Sequence, residues 1–269
     1  MTLTEVRQLL AELEVRPSKA LGQNFLVDAN ILQIILREAD IRRDETVLEI
    51  GPGLGMLTGA LLDRAKGVFA VEKDRHFAEY VRQKFPALHL IEGDAIKVPL
   101  PNCDKVVANL PYNISTPILE RLVDSDSRPR RTVVTVQREV AQRLAATPRH
   151  KDYGALTVFT RVHYHITIAH VVSPRCFYPS PRVESAIVVM DRRDPRVKLQ
   201  PGAPFHEIVR AGFGQRRKML RKLLAGFGDI DAAFAATSIS PTTRAEELSL
   251  EQWISLANAI EEVQQQEPR

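Results

Sequence analysis

Apolar residues follow two different periods along this chain. The runs TVLEIG (46–51), GVFAVEK (67–73), LHLIEGD (88–94), DKVVANL (104–110) and TVVTVQ (132–137) are consecutively apolar or β-branched and read as short strands. Between them, LTGALLDRA, RHFAEYVRQKF and STPILERLVDS space their apolar residues along one face of a helix. Strands alternating with helices of this length predict crossover units, and hence a parallel sheet covered on both faces. Further on the order changes. YGALTVFTRV has helical spacing, while HYHITIAHVV (163–172) and SAIVVMDR (185–192) predict an antiparallel pair at a sheet edge, separated by a proline-rich loop.

The polar stretch that follows holds Pro195, Pro201, Gly202 and Pro204, which predicts a linker over 193–204. Beyond it FHEIVRAGF, RKMLRKLLAGF, DIDAAFAAT and LEQWISLANAIEEV are all helical in pattern, and a further helix is expected near the N-terminus, over about residues 2–14. The expected organisation is an N-terminal segment plus α/β domain over 1–192, the linker, and a smaller all-α domain over 205–269.

Composition changes this picture little. Of 269 residues 44% are apolar, enough for a sizeable core. Lys and Arg number 37 against 33 Asp and Glu, a net charge of +4 that permits a polyanionic partner without demanding one. Cys103 and Cys176 have no metal-type spacing, so neither a disulfide framework nor a zinc site is expected, and two stray thiols suit a reducing compartment. The N-terminus carries acids early and lacks a signal-type apolar stretch, and no run approaches the ~18 apolar residues that span a bilayer. The expectation is a soluble cytoplasmic protein without metal or membrane contact.

Chemistry concentrates at the strand tips. GPGLG (51–55), preceded by Glu49, lies between the first strand of the alternating series and its helix, where glycines allow a tight turn and close approach of a ligand. The second strand ends in Glu72, whose carboxylate can accept both hydroxyls of a ribose. The third ends in Gly93-Asp94, and that carboxylate can accept from an exocyclic adenine amine. The turn reads GxGxG and contains a proline, unlike the GxGxxG that cradles a pyrophosphate. An adenosine-bearing ligand without phosphates fits these features, and S-adenosylmethionine is such a ligand.

The fourth strand ends in Asn109-Leu110-Pro111-Tyr112. With the glycine turn, the acid and Gly-Asp before it, this order resembles the Rossmann-like adenine N6-methyltransferases. LGQNFL (21–26) narrows the resemblance to the ribosomal RNA adenine dimethyltransferases, and CFYPSPRVESAIV (176–188) with FGQRRKMLRKLL (213–224) to the bacterial enzymes acting on small-subunit RNA. The resemblance runs from about residue 17 to 224. It implies a class I methyltransferase fold, S-adenosylmethionine as methyl donor, and dimethylation of adenines in 16S RNA, on a 30S-type particle late in ribosome biogenesis. It also implies a cofactor pocket of Gln23, Asn24, Leu26, Gly51, Gly53, Glu72, Asp94 and Asn109, with Gly53 and Gly55 serving backbone geometry.

An exocyclic adenine amine is a poor nucleophile because its lone pair is delocalised into the ring. The Asn109 side-chain oxygen and the Leu110 carbonyl can accept its two N–H groups and favour a pyramidal nitrogen. Pro111 adds no competing donor and stiffens the turn. Tyr112 can stack on an extruded base, with Phe177 expected on its other face.

Arg210, Arg216, Arg217, Lys218, Arg221 and Lys222 are the expected RNA-backbone contacts, with Arg217/Arg221 and Lys218/Lys222 each four residues apart on the outer face of a predicted helix. His163, His165 and His170 read as edge-strand residues and Trp253 as core of the helical domain. A monomer is expected. The alternatives are a large-subunit adenine dimethyltransferase of the macrolide-resistance type, disfavoured by LGQNFL and the QRRK segment, and an assembly or transcription factor that keeps the fold without the reaction. DNA adenine methylation is disfavoured by Leu110, where that class usually shows a second proline.

Overall fold

The structure, a computed structural model, describes all residues except 19, 126, 195, 196 and 267–269. These residues form two compact units, one of Met1–Ala141 and His165–Arg192, the other of Gln142–Tyr164 and Arg193–Arg269.

The first unit begins with α1 (Leu3–Glu12), β1 (Phe25–Leu26) and α2 (Ala29–Ala39). The alternating core follows: β2 (Thr46–Ile50), α3 (Met56–Leu62), β3 (Gly67–Glu72), α4 (Arg75–Lys84), β4 (His89–Glu92), β5 (Lys105–Asn109), α5 (Ser115–Asp124) and β6 (Arg131–Gln137). Next come α6 (Arg138–Ala145), α7 (Ala155–His163), β7 (Tyr164–Val172), β8 (Phe177–Tyr178) and β9 (Ser185–Arg192). The remaining helices are α8 (Phe205–Gly214), α9 (Leu220–Leu223), α10 (Ile230–Thr237) and α11 (Leu250–Gln266).

Seven strands form one sheet in the order β4-β3-β2-β5-β6-β9-β7. The pairs β2–β3, β3–β4, β2–β5 and β5–β6 are parallel, and β9 runs antiparallel to β6. From β2 the chain builds outward first through β3 and β4, then returns to place β5 on the other side. This reversal opens a crevice at the carboxyl ends of β2 and β5, the place where doubly wound sheets hold ligands. It is the Rossmann-like α/β arrangement that the sequence implies.

The strands explain themselves by burial. Val47, Leu48, Val68, Ala70, Val106, Val107, Val133 and Val134 are fully buried, as a sheet covered on both faces requires. Ionisable groups are buried among them as well: Glu49, Glu72 and Lys105. Lys105, the first residue of β5, is fully buried, its Nζ 2.9 Å from Glu45 Oε2 and 2.9 Å from the Ala39 carbonyl, with a further bond to the Asp40 carbonyl. Burial opposes ionisation of Glu45, yet the Arg42 N–H, Lys105 and Arg130 together hold its carboxyl down at about 2. The start of β5 is thereby fastened to the end of α2, and the strand carries that fixity to Asn109 at its tip.

Two helices, α2 and α6, are not predicted from the sequence, nor are the short strands β1 and β8. Asp28 caps α2 by accepting from the Asn30 and Ile31 N–H groups, and Ile31, Ile35, Leu36 and Ala39 form its buried face. The domain division also differs from expectation. Val158, Phe159 and Val162 of α7 share an apolar cluster with Phe205, Ile208, Leu220, Leu224, Phe234 and Trp253, so the segment from Gln142 belongs to the helical unit. An apolar helix face does not encode which neighbour will cover it. The predicted linker is likewise packed: Val197, Leu199 and Ala203 lie against the same cluster, and Asn258 clamps the segment through the Lys198 carbonyl and the Gln200 N–H, each at 2.9 Å. Pro195 falls outside the described residues.

The basic segment departs most from its pattern. α8 stops at Gly214, residues 215–218 turn, and Met219 is extended, so α9 contains only Leu220–Leu223. Leu220 N–H donates to the Thr243 carbonyl at 2.8 Å, a bond that a continuous helix would forbid.

Candidate active site

The glycine turn leaves β2 with Gly51 and Gly53 at φ +70° and +54°, a region in which a side chain is strained. A Cβ on Gly53 would also lie 2.9 Å from the ring of Phe25. The Gly53 N–H donates to Glu72 Oε2 at 3.0 Å, and the Asp74 N–H to Glu72 Oε1 at 2.8 Å. Burial raises the Glu72 carboxyl above its usual range against these two donors. The turn and the β3 acid are thus one hydrogen-bonded unit.

Glu49 faces the same cavity. It is buried, accepts from Thr58 Oγ1 at 2.6 Å, and is pushed up to about 8 by burial, with the charge of Glu72 adding to the rise. Glu49 is visible in the sequence as the acid before the glycine turn, without a role assigned to it. The signal was available: an acid interrupting the apolar run VLEI of a fully covered strand has no reason to be there structurally.

At the tip of β4, Asp94 accepts from the Ile96 N–H and from Lys73 Nζ, both at 3.0 Å, and these bonds hold its carboxyl below the usual range. Lys73, also on the cavity wall, is not marked out by the sequence pattern.

The LGQNFL segment closes one side. Leu26 is buried on the cavity wall, and Gln23 donates to Asp74 Oδ2 at 3.0 Å. Asn24 donates its side chain to the Gly22 carbonyl and accepts, through its main-chain oxygen, from Asn109 Nδ2 at 2.9 Å. Asn113 donates to the Ala20 carbonyl at 2.8 Å. Three bonds therefore pin this loop, two of them to the NLPYN tip.

Asn109, Leu110 and Pro111 line the cavity where β5 ends. Leu110 N–H donates to the Thr135 carbonyl at 3.2 Å, and Pro111 lies against Gly51. Asn109 Oδ1 is buried and has no hydrogen-bond partner among the described residues. An orphaned acceptor of this kind is costly, and one on a cavity-lining residue points to a donor that arrives with a ligand.

Tyr112 opens a short helical turn over Tyr112–Ile114 beside the cavity, and its hydroxyl bonds Ser185. Phe177 is placed otherwise than predicted. It pairs with Leu26 in the two-stranded β1–β8 sheet and is 3% exposed within the core that contains Ile31, Val133 and Ile187. A ring so enclosed offers no face to a base, so the expected sandwich with Tyr112 is not formed. The two-residue strands that turn it inward are too short to leave a period in the sequence.

The basic residues divide. Arg216 donates to the Lys151 and Tyr153 carbonyls at 2.7 and 2.9 Å, tying a loop of its own unit. Arg221 pairs with Asp231 at 2.5 Å, and the Arg210 guanidinium lies 5.7 Å over the Phe159 ring. Arg217, Lys218 and Lys222 are exposed. Because α9 begins at Leu220, Arg217 and Arg221 do not share a helical face. His163 closes α7, and His165 and His170 are exposed on β7. Among the described residues no group of three or more His, Cys, Asp or Glu is arranged to hold a metal ion, and no helix is long and apolar enough to cross a membrane.

The cavity suits S-adenosylmethionine. Two buried carboxylates on adjacent strands match hydroxyls and a cationic group. The glycine turn directs an N–H into Glu72, away from the phosphate-cradling role such turns otherwise play, and Asn109 Oδ1 awaits a donor. Comparison with known proteins agrees. The chain is 37% identical to a ribosomal RNA small subunit methyltransferase A of Clostridium acetobutylicum, over 94% of this chain and 97% of that protein. It is 40% identical to one from Paenarthrobacter aurescens, over 96% and 93%. Among solved structures, a dimethyladenosine transferase from Plasmodium falciparum matches with a TM-score of 0.73 at 26% identity, covering 86% of this chain and 95% of that one. The 23S rRNA methyltransferase ErmE matches at 0.67 and 27%, covering 88% and 100%. The family model for ribosomal RNA adenine dimethylase matches residues 16–262, and the chain belongs to that family.

Proposed function

We propose that this chain dimethylates the exocyclic N6 of adenines in small-subunit (16S) ribosomal RNA, acting as a monomer in the cytoplasm on a 30S-type particle late in ribosome assembly. S-adenosylmethionine supplies an electrophilic methyl group. Asp94 accepts from its adenine amine, Glu72 holds its ribose, and Gln23, Asn24, Leu26 and Gly51 close around it. Asn109 Oδ1 and the Leu110 carbonyl accept the two N–H groups of the target amine and turn its lone pair toward the methyl carbon. Tyr112 stacks on the extruded base, a contact worth about 1–3 kcal/mol. The reaction is a direct displacement that relies on positioning. The proton leaves the nitrogen after transfer, so no strong general base is needed. Arg210, Arg217, Lys218 and Lys222 supply phosphate contacts; Arg216 and Arg221 keep their intramolecular partners.

The observation that carries this reading is the buried, unbonded Oδ1 of Asn109 at the end of β5. Asn109→Ala should abolish methyl transfer while leaving particle binding intact. Wild-type turnover in that variant overturns the reading. Labelled cofactor offered with unmodified small and large subunits should mark only the small one; label confined to large subunits would move the chain to the alternative substrate.

A further inference from the structure

Tyr112 is held in two ways. Its backbone is set by the short turn and by Ser115, whose Oγ donates to the Tyr112 carbonyl at 3.1 Å. Its ring is anchored at the far end, where Oη bonds Ser185 Oγ. A phenol needs no hydroxyl to stack on a base. The bond therefore does something other than stacking.

Ser185 is built as the fixed partner. It is fully buried as the first residue of β9, in register with Gln137 of β6. Its neighbour Glu184 accepts from the Arg138 N–H at 2.9 Å and pairs with the Arg138 guanidinium. The sheet thus holds Ser185 independently of Tyr112. A serine is also out of place in SAIVVM, whose other members are buried and apolar. Burial keeps the Tyr112 hydroxyl neutral well above neutral pH, so the bond persists across the working range.

We infer that Ser185 is a positioning residue: its hydroxyl fixes the pitch of the Tyr112 ring, so that a base stacked on that ring presents its amine in line with the methyl group. The inference rests on the stacking role proposed for Tyr112. Without the anchor the ring still stacks, but rocks about its side-chain torsions, and displacement chemistry is sensitive to errors of about 1 Å. The bland account, that two buried hydroxyls merely satisfy each other, predicts lost stability and no selective kinetic effect.

The test uses the full-length chain, S-adenosylmethionine and unmodified small-subunit particles, with Tyr112→Phe, Ser185→Ala, their double variant and Tyr112→Ala. Each of the first two should lower kcat by ~10-fold, with KM for the particle and Kd for the cofactor within about twofold of wild type. The double variant should be no slower than either single variant, because both remove one bond. Normal kcat in Ser185→Ala beside an inactive Tyr112→Ala overturns the anchor and leaves stacking standing, as does a double variant whose losses multiply. An active Tyr112→Ala overturns the stacking role and the inference with it. Should Ser185→Ala fail to fold, Tyr112→Phe decides alone, and its normal kcat overturns the proposal.

Discussion

Asn109 donates its Nδ2 to the main-chain oxygen of Asn24 at 2.9 Å, and that bond decides which way the carboxamide faces. With Nδ2 engaged, Oδ1 is the buried atom left without a partner among the described residues. The loop carrying Asn24 and the proposed acceptor for the target amine are therefore joined by one contact. Asn109→Asp keeps an acceptor but loses the donor, and brings a carboxylate oxygen against the Asn24 carbonyl. It should lose about 10²–10³ in kcat, the size of one preorganised polar contact. Methyl incorporation into unmodified small subunits measures this; an Asp variant within threefold of wild type would show that the orientation of the amide is immaterial.

Glu49 makes pH a probe of the pocket. Its carboxyl is raised from an ordinary 4.5 to about 8 by burial and by Glu72. The neutral form is the one the fold prefers, so its contribution to stability is complete below about 4.5 and is lost as pH rises through 8. Glu49→Gln removes that loss. The variant should melt level with wild type at pH 4 and above it at pH 9, and at pH 9, where the wild-type group is charged, it should bind S-adenosylmethionine more weakly. A melting difference that is the same at both pH values would place the ionisation elsewhere.

The residues that were legible in the sequence mostly share one cause. A parallel strand covered on both faces is a run of apolar residues, so Glu72 and Asn109 announce themselves by ending such runs, while Asp94 follows the half-buried edge strand β4 and is marked by the glycine before it. Glu49 breaks a run from within, and noticing it requires asking why an acid is buried. Phe177 and the QRRK segment went astray for another reason. Their local patterns, an aromatic between prolines and an apolar face at helical spacing, are met by several conformations, and contacts distant in sequence choose among them. The pairing of Leu26 with Phe177 and the bond from Leu220 to Thr243 are such contacts. The membership of α7 in the helical unit has the same origin.

Lys105 tests how β5 is anchored. Its ammonium satisfies Glu45 and two carbonyls at the end of α2. Lys105→Ala leaves the Ala39 and Asp40 carbonyls without that donor and Glu45 with its Arg42 and Arg130 partners alone, and should cost up to about 3–5 kcal/mol of stability, the range for breaking a buried pair by removing one partner. Lys105→Met, which keeps the volume but not the bonds, should recover part of the packing. Chemical denaturation at pH 7 measures both. Because Glu45 is held at about 2, the pair's contribution is present above an ordinary 4.5 and fades as pH falls toward 2. The gap between wild type and Lys105→Ala should narrow over that interval, and a gap that is constant through it would remove Glu45 from the account.

The basic segment separates into residues that bind the chain and residues free to bind RNA. Arg216 is committed to two carbonyls of the 151–153 loop, so Arg216→Ala should lower the melting temperature. Arg221→Ala removes only an exposed, solvent-screened pair with Asp231 and should leave stability nearly unchanged. Arg217, Lys218 and Lys222 are exposed and pair with none of these groups, so reversal of their charge should leave stability unchanged and weaken small-subunit binding. Each true phosphate contact among them should also flatten the log–log salt dependence of binding by about one unit. Binding to purified subunits across a salt series distinguishes the two classes. If Arg217→Glu, Lys218→Glu and Lys222→Glu bind with wild-type affinity and slope, the positive charge here is ordinary solvated surface, and the RNA must run over another face.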